Sequence, residues 1–97
     1  MKPFREMNKQ ELLSMIDLLE QEREHTQYPS QLEIIESKII TAQSYLVDPS
    51  TYLPGKYHIT GQQKLMQLAY VNGIMAWGSV EGVEVCFPLS LLSRDDS

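Results

Sequence analysis

The side chains that carry most protein chemistry are sparse in this chain. Its 97 residues include two histidines, His25 and His58, and one cysteine, Cys86. A metal site takes three or four ligands. Neither histidine sits in a cluster with ligand spacing, so both read as surface residues and no metal is expected. Cys86 lies between Val85 and Phe87 with no cation nearby in sequence. A catalytic cysteine needs a neighbour that lowers its pKa, so this thiol reads as a small hydrophobe on a strand. No serine stands in a nucleophile elbow. Gly55, Gly61, Gly73, Gly78 and Gly82 are spaced as turn and bulge residues, not as a phosphate loop. Asp17, Glu20, Glu22 and Glu24 lack the loop that calcium sites use and read as a solvated helix face. The expectation is therefore no catalytic residue, no cofactor and no enzymatic activity.

What remains for function is aromatic. Trp77 is the one tryptophan. Such a residue in a small β-domain is either part of the core and hairpin contacts or a ligand platform. Large aromatics in small domains are usually structural, but amphipathic aromatics are also enriched in binding hot spots. Tyr52, Tyr57 and Tyr70 are the residues that could join Trp77 in a peptide-receiving groove. These four form the candidate partner-binding surface.

Charge narrows the partner. The net charge is −5. Up to Pro54 the chain holds five Lys/Arg and nine Asp/Glu, or −4; the rest holds three and four, or −1. Neither part has the basic excess that phosphate neutralisation requires, so direct nucleic-acid binding is disfavoured. The same balance offers no attraction to an anionic membrane. No apolar run approaches the about 18 residues of a membrane span, and the polar sequence after Met1-Lys2-Pro3-Phe4-Arg5 does not resemble a signal peptide. A lone cysteine suits a reducing compartment, which points to the cytoplasm. The partner expected is a protein. Its identity is open, as is the oligomeric state, a homodimer included.

The elements that would position the aromatics follow from periodicity. Asn8-Lys9-Gln10-Glu11 is a capping box, flanked by Met7 and Leu12 at staple positions. Leu12, Met15, Ile16 and Leu19 then form one apolar stripe, and the helix is expected to end near His25 to Gln27. After Tyr28-Pro29, Ser30-Gln31-Leu32-Glu33 reads as a second capping box. Leu32, Ile35, Ile39, Ala42 and Leu46 follow as a seam widened by Ile34 and Ile40, and Asp48-Pro49 stops the helix. Two amphipathic helices with so short a link predict an antiparallel hairpin over 1–49.

Beyond the connector Ser50–Gly55 the period becomes alternating. Strands are expected over Lys56–Thr60, Lys64–Val71, Ile74–Val80 and from Val83 to Pro88. Turns fall at Gly61-Gln62-Gln63, Asn72-Gly73 and Glu81-Gly82. Leu89 to Leu92 reads as a 3₁₀ turn running into a last short strand. In the second strand Met66, Leu68 and Tyr70 share a face, with Leu65, Ala69 and Val71 on the other. Five short strands must curl to protect their edges. The fold expected for 50–97 is a five-stranded antiparallel SH3-like β-barrel, packed with the hairpin as one α+β cooperative unit. The apolar second face of strands two and three and the wide helical stripe motivate that packing.

Several blocks also resemble a known family: Tyr45-Leu46-Val47-Asp48-Pro49, Leu53-Pro54-Gly55, Tyr70-Val71-Asn72-Gly73-Ile74-Met75-Ala76-Trp77-Gly78 and Phe87-Pro88-Leu89-Ser90-Leu91-Leu92. Together they resemble the YfhH-like family of uncharacterised proteins from Gram-positive bacteria, over nearly the whole chain. The resemblance implies a helical hairpin plus an SH3-like barrel. It implies no established activity and no catalytic residues, although a role in transcriptional regulation has been attached to such proteins. The reading is thus a non-enzymatic protein-interaction module, with an accessory transcriptional regulator as the alternative.

Overall fold

Helix-forming and strand-forming patterns separate along the chain, and so do the two compact units they build. A computed structural model describes residues 2–94. The division between the units falls after Leu46.

In the first unit a 3₁₀ turn, Phe4–Glu6, leads into helix α1, Lys9–His25. The capping box forms as the sequence indicates. The Glu11 backbone N–H donates to Asn8 Oδ1 at 2.8 Å, and the Asn8 N–H donates to Glu11 Oε1 at 3.2 Å. Two of the N–H groups left orphaned at a helix start are thereby satisfied. The segment Thr26-Gln27-Tyr28 links α1 to helix α2, Pro29–Leu46. Here the sequence expectation needs one correction. The helical run opens at Pro29 rather than just after Ser30, so Ser30 is already inside α2 and does not cap it. Proline suits that first position because its φ is preset and its missing N–H would have no intrahelical partner.

The stripes close on one another. Leu12, Ile16 and Leu19 of α1 and Ile35, Ile39 and Ala42 of α2 are buried in a single cluster, joined by the half-buried Phe4, Met7, Met15 and Leu46. Met7 and Leu12, at the staple positions, both belong to this cluster. Ile34 stays 56% exposed.

The second unit begins with a 3₁₀ turn, Pro49–Thr51, whose start is held by Asp48. One Asp48 carboxylate oxygen accepts from both the Ser50 N–H (3.0 Å) and the Ser50 hydroxyl (2.8 Å). Five strands follow: β1 Gly55–Ile59, β2 Leu65–Asn72, β3 Met75–Val80, β4 Val83–Pro88 and β5 Leu92–Arg94. A 3₁₀ turn, Leu89–Leu91, connects the last two, as the sequence suggests.

The strands form one antiparallel sheet in the order β4-β3-β2-β1-β5. This corrects the expectation of an SH3-like barrel. The order ends on β4 at one side and β5 at the other, and no ladder joins them among the described residues. The reason is local. The 3₁₀ turn lifts the chain off β4, with the Leu89 N–H donating to the Ile74 carbonyl and the Thr60 N–H to the Leu91 carbonyl. The three residues of β5 are then spent pairing with β1, as Tyr57↔Arg94, His58↔Ser93 and Ile59↔Leu92. The sheet is open.

One face of the sheet holds the core: Tyr57, Ile59, Met66, Leu68, Ala76, Leu89 and Leu92. Tyr52, Val71, Val80, Val85 and Phe87 pack around them. Met66 and Leu68 are almost completely buried, worth about 1.5–3 kcal/mol each in transfer free energy.

Candidate functional site

Side-chain parity decides which aromatics can act together, and a bulge resets that parity. Between β2 and β3 the pairing runs Gln67↔Ser79 and Leu68↔Gly78, then skips to Tyr70↔Trp77. The register shift between Leu68 and Tyr70 places an extra residue in β2, as a β-bulge does. Strict alternation would put Tyr70 on the face of Met66 and Leu68. With the bulge, Val71 joins the core and Tyr70 turns to the opposite face beside Trp77.

Gly78 permits this arrangement. A Cβ at that position would lie 2.9 Å from the Gln67 carbonyl carbon, 3.1 Å from the Leu68 Cα, and closer still to the Gln67 carbonyl oxygen. Only a residue without a side chain lets β2 and β3 approach in this way. Gly78 is thus the glycine, among those singled out by spacing, that stands opposite the bulge.

The four candidate aromatics fall into two pairs on opposite faces of the sheet. On the outer face the rings of Tyr70 and Trp77 stack nearly parallel, 7° apart in plane with centroids 6.2 Å apart. Tyr70 is 56% exposed and Trp77 half-buried. On the core face Tyr57 is 3% exposed. Its hydroxyl donates to the Leu53 carbonyl at 2.7 Å, and its ring stacks on Tyr52 at 5.9 Å. Burial, and secondarily the neighbouring Tyr57, push the Tyr52 phenol above its ordinary pKa of 10.0. Tyr57 is a core residue, so the single four-aromatic groove considered from sequence does not exist.

Each pair borders its own depression. The core-side one, about 660 Å³, runs past Asp48, Thr51, Tyr52, Tyr57 and Arg94. The outer-face one, about 330 Å³, is lined by Gln67, Tyr70, Trp77, Ser79, Gly82 and Glu84, among others. Two cross-strand rows build the outer site. Tyr70, Trp77 and Cys86 form one; Lys56, Gln67, Ser79 and Glu84 form the next. Sequence reasoning passed over Gln67, Ser79 and Glu84. Alternation along β4 signals Glu84, which is out of phase with Val83, Val85 and Phe87, but its neighbours depend on the register.

The residues first considered for chemistry stay apart. His25 ends α1 and is exposed; His58 is exposed on β1; Cys86 is half-buried on β4 beside Trp77. Among the described residues, no three His, Cys, Asp or Glu side chains gather as a metal site would require, and no helix is long and apolar enough to cross a membrane.

A helical unit followed by an open antiparallel sheet with an aromatic outer face defines the class of protein. Residues 2–93 match the family described as a protein of unknown function (DUF1811). The chain is also 32% identical to the uncharacterized protein YfhH of Bacillus subtilis (strain 168), over 98% of each chain. It belongs to the DUF1811 family.

Proposed function

We propose that this protein is a non-enzymatic interaction module that receives a segment of another protein on the outer face of its sheet. The observation that carries the reading is the parallel Tyr70–Trp77 stack, which lies opposite the core and leaves Tyr70 more than half exposed. A core aromatic serves stability by burial. An aromatic pair held rigid on an exposed face offers contact area with little entropy left to lose on binding. The strands fix both rings, while the depression beside them supplies a hydroxyl at Ser79, an amide at Gln67 and a carboxylate at Glu84. That combination of apolar platform and a few polar groups suits recognition of a peptide segment.

Selection from a random displayed peptide library on the immobilised full chain tests the reading. Selected peptides are expected to lose most of their binding to Tyr70→Ala and to keep it on Leu53→Ala, another exposed apolar position. Failure to select any peptide, or unchanged binding to Tyr70→Ala, overturns it.

A further inference from the structure

Within the outer-face depression the charges are not balanced. Glu84 is exposed, directly opposite Ser79 and one row from the Tyr70–Trp77 stack. The other acid near that end of the sheet, Glu81, is committed to Lys64 at 2.8 Å. Among the described residues Glu84 has no such partner. The cation in its own row is Lys56, which sits on β1, three strands away. At the usual spacing of neighbouring strands that is roughly 14 Å, too far to neutralise the carboxylate in water at physiological salt.

We infer that the segment received on this face presents an arginine, its guanidinium stacked on the Tyr70–Trp77 pair and its edge hydrogen-bonded to Glu84. The inference rests on the docking reading above and names the partner's chemistry. An aromatic face attracts a cation through its quadrupole, tryptophan most strongly. A planar guanidinium can stack on a ring and still present a fork of N–H donors to a carboxylate, whereas an ammonium is a point charge without that geometry. Beyond Pro54 the chain carries −1, so no basic excess on the sheet repels a cationic segment.

Three fluorescent libraries of short extended peptides, alike except for a central arginine, citrulline or leucine, separate the possibilities. Each is titrated against the full chain by anisotropy. The arginine library is expected to bind about tenfold more tightly than the citrulline library, as loss of a charge-assisted pair implies. That advantage is expected to weaken with salt and to vanish in Glu84→Gln, an exposed substitution compatible with folding. Equal binding of arginine and citrulline, with both lost in Tyr70→Ala, overturns the arginine inference and leaves the docking surface standing. An arginine preference that survives Glu84→Gln also overturns it. Binding indifferent to both Tyr70→Ala and Trp77→Phe, or none from any library, overturns the docking surface as well.

Discussion

Gly78 faces Leu68 across the β2–β3 ladder, so close that a Cβ on Gly78 would run into the Gln67 carbonyl. Backbone, rather than the end of a flexible side chain, stands in the way. Gly78→Ala is therefore expected to cost about 3 kcal/mol, the upper part of the usual overpacking range. Urea unfolding followed by Trp77 fluorescence measures it. A change below about 1 kcal/mol means that β2 and β3 do not approach as closely as the bulge requires.

Gly73 differs in kind. Nothing lies within 4 Å of the place its Cβ would take, but its φ is +62°. Asn72 pairs with Met75, so Gly73 and Ile74 are the loop residues, and Ile74 is not at positive φ. A glycine first in a two-residue loop matches a type II′ turn, where Asn72-Gly73 as the central pair would have made type I′. Gly73→Val is expected to destabilise by about 1 kcal/mol or more through backbone strain alone. The same denaturation experiment reads it, and a neutral result contradicts the turn.

The capping box makes α1 sensitive to acid. The Asn8 N–H, and after it Lys2, hold Glu11 below its ordinary pKa of 4.5. A carboxylate depressed in the folded state stabilises fully above its unfolded pKa, and that contribution disappears as pH falls through the lower folded value. Glu11→Ala, which removes the carboxylate while leaving the Asn8 N–H in place, is expected to lower the melting temperature at neutral pH and to differ less from the parent well below pH 4.5. Thermal melts followed by helical circular dichroism across that range provide the check. A penalty independent of pH would mean Glu11 takes no part in the cap.

Duplex DNA is expected not to bind in a salt-sensitive way. Counterion release needs clustered Lys and Arg, and the chain carries eight against thirteen acids. Along α2 the exposed polar residues include Ser30, Gln31, Glu33, Glu36, Ser37, Lys38 and Gln43, a single base among them, where a recognition helix would carry several. Micromolar anisotropy binding to random duplex at physiological ionic strength, falling as salt rises, would favour the regulator reading over the protein-binding one.

The sequence by itself determined the two helices, the Asn8–Glu11 cap, the strand succession, the 3₁₀ turn at Leu89 and the glycine needed at position 73. Each depends on residues a few positions apart, so local periodicity and turn chemistry suffice to specify it. Tertiary structure decided the rest. Whether five strands close into a barrel depends on what β5 pairs with, and its three residues go to β1. Which face Tyr70 takes depends on a bulge opposite Gly78, a contact between backbones on different strands that no alternation within β2 can encode. That one-residue slip separates Tyr70 from the core and sets it beside Trp77, on the face of the sheet opposite Tyr57. Side chains in a strand alternate with a period of two, so any register shift exchanges the faces of everything beyond it.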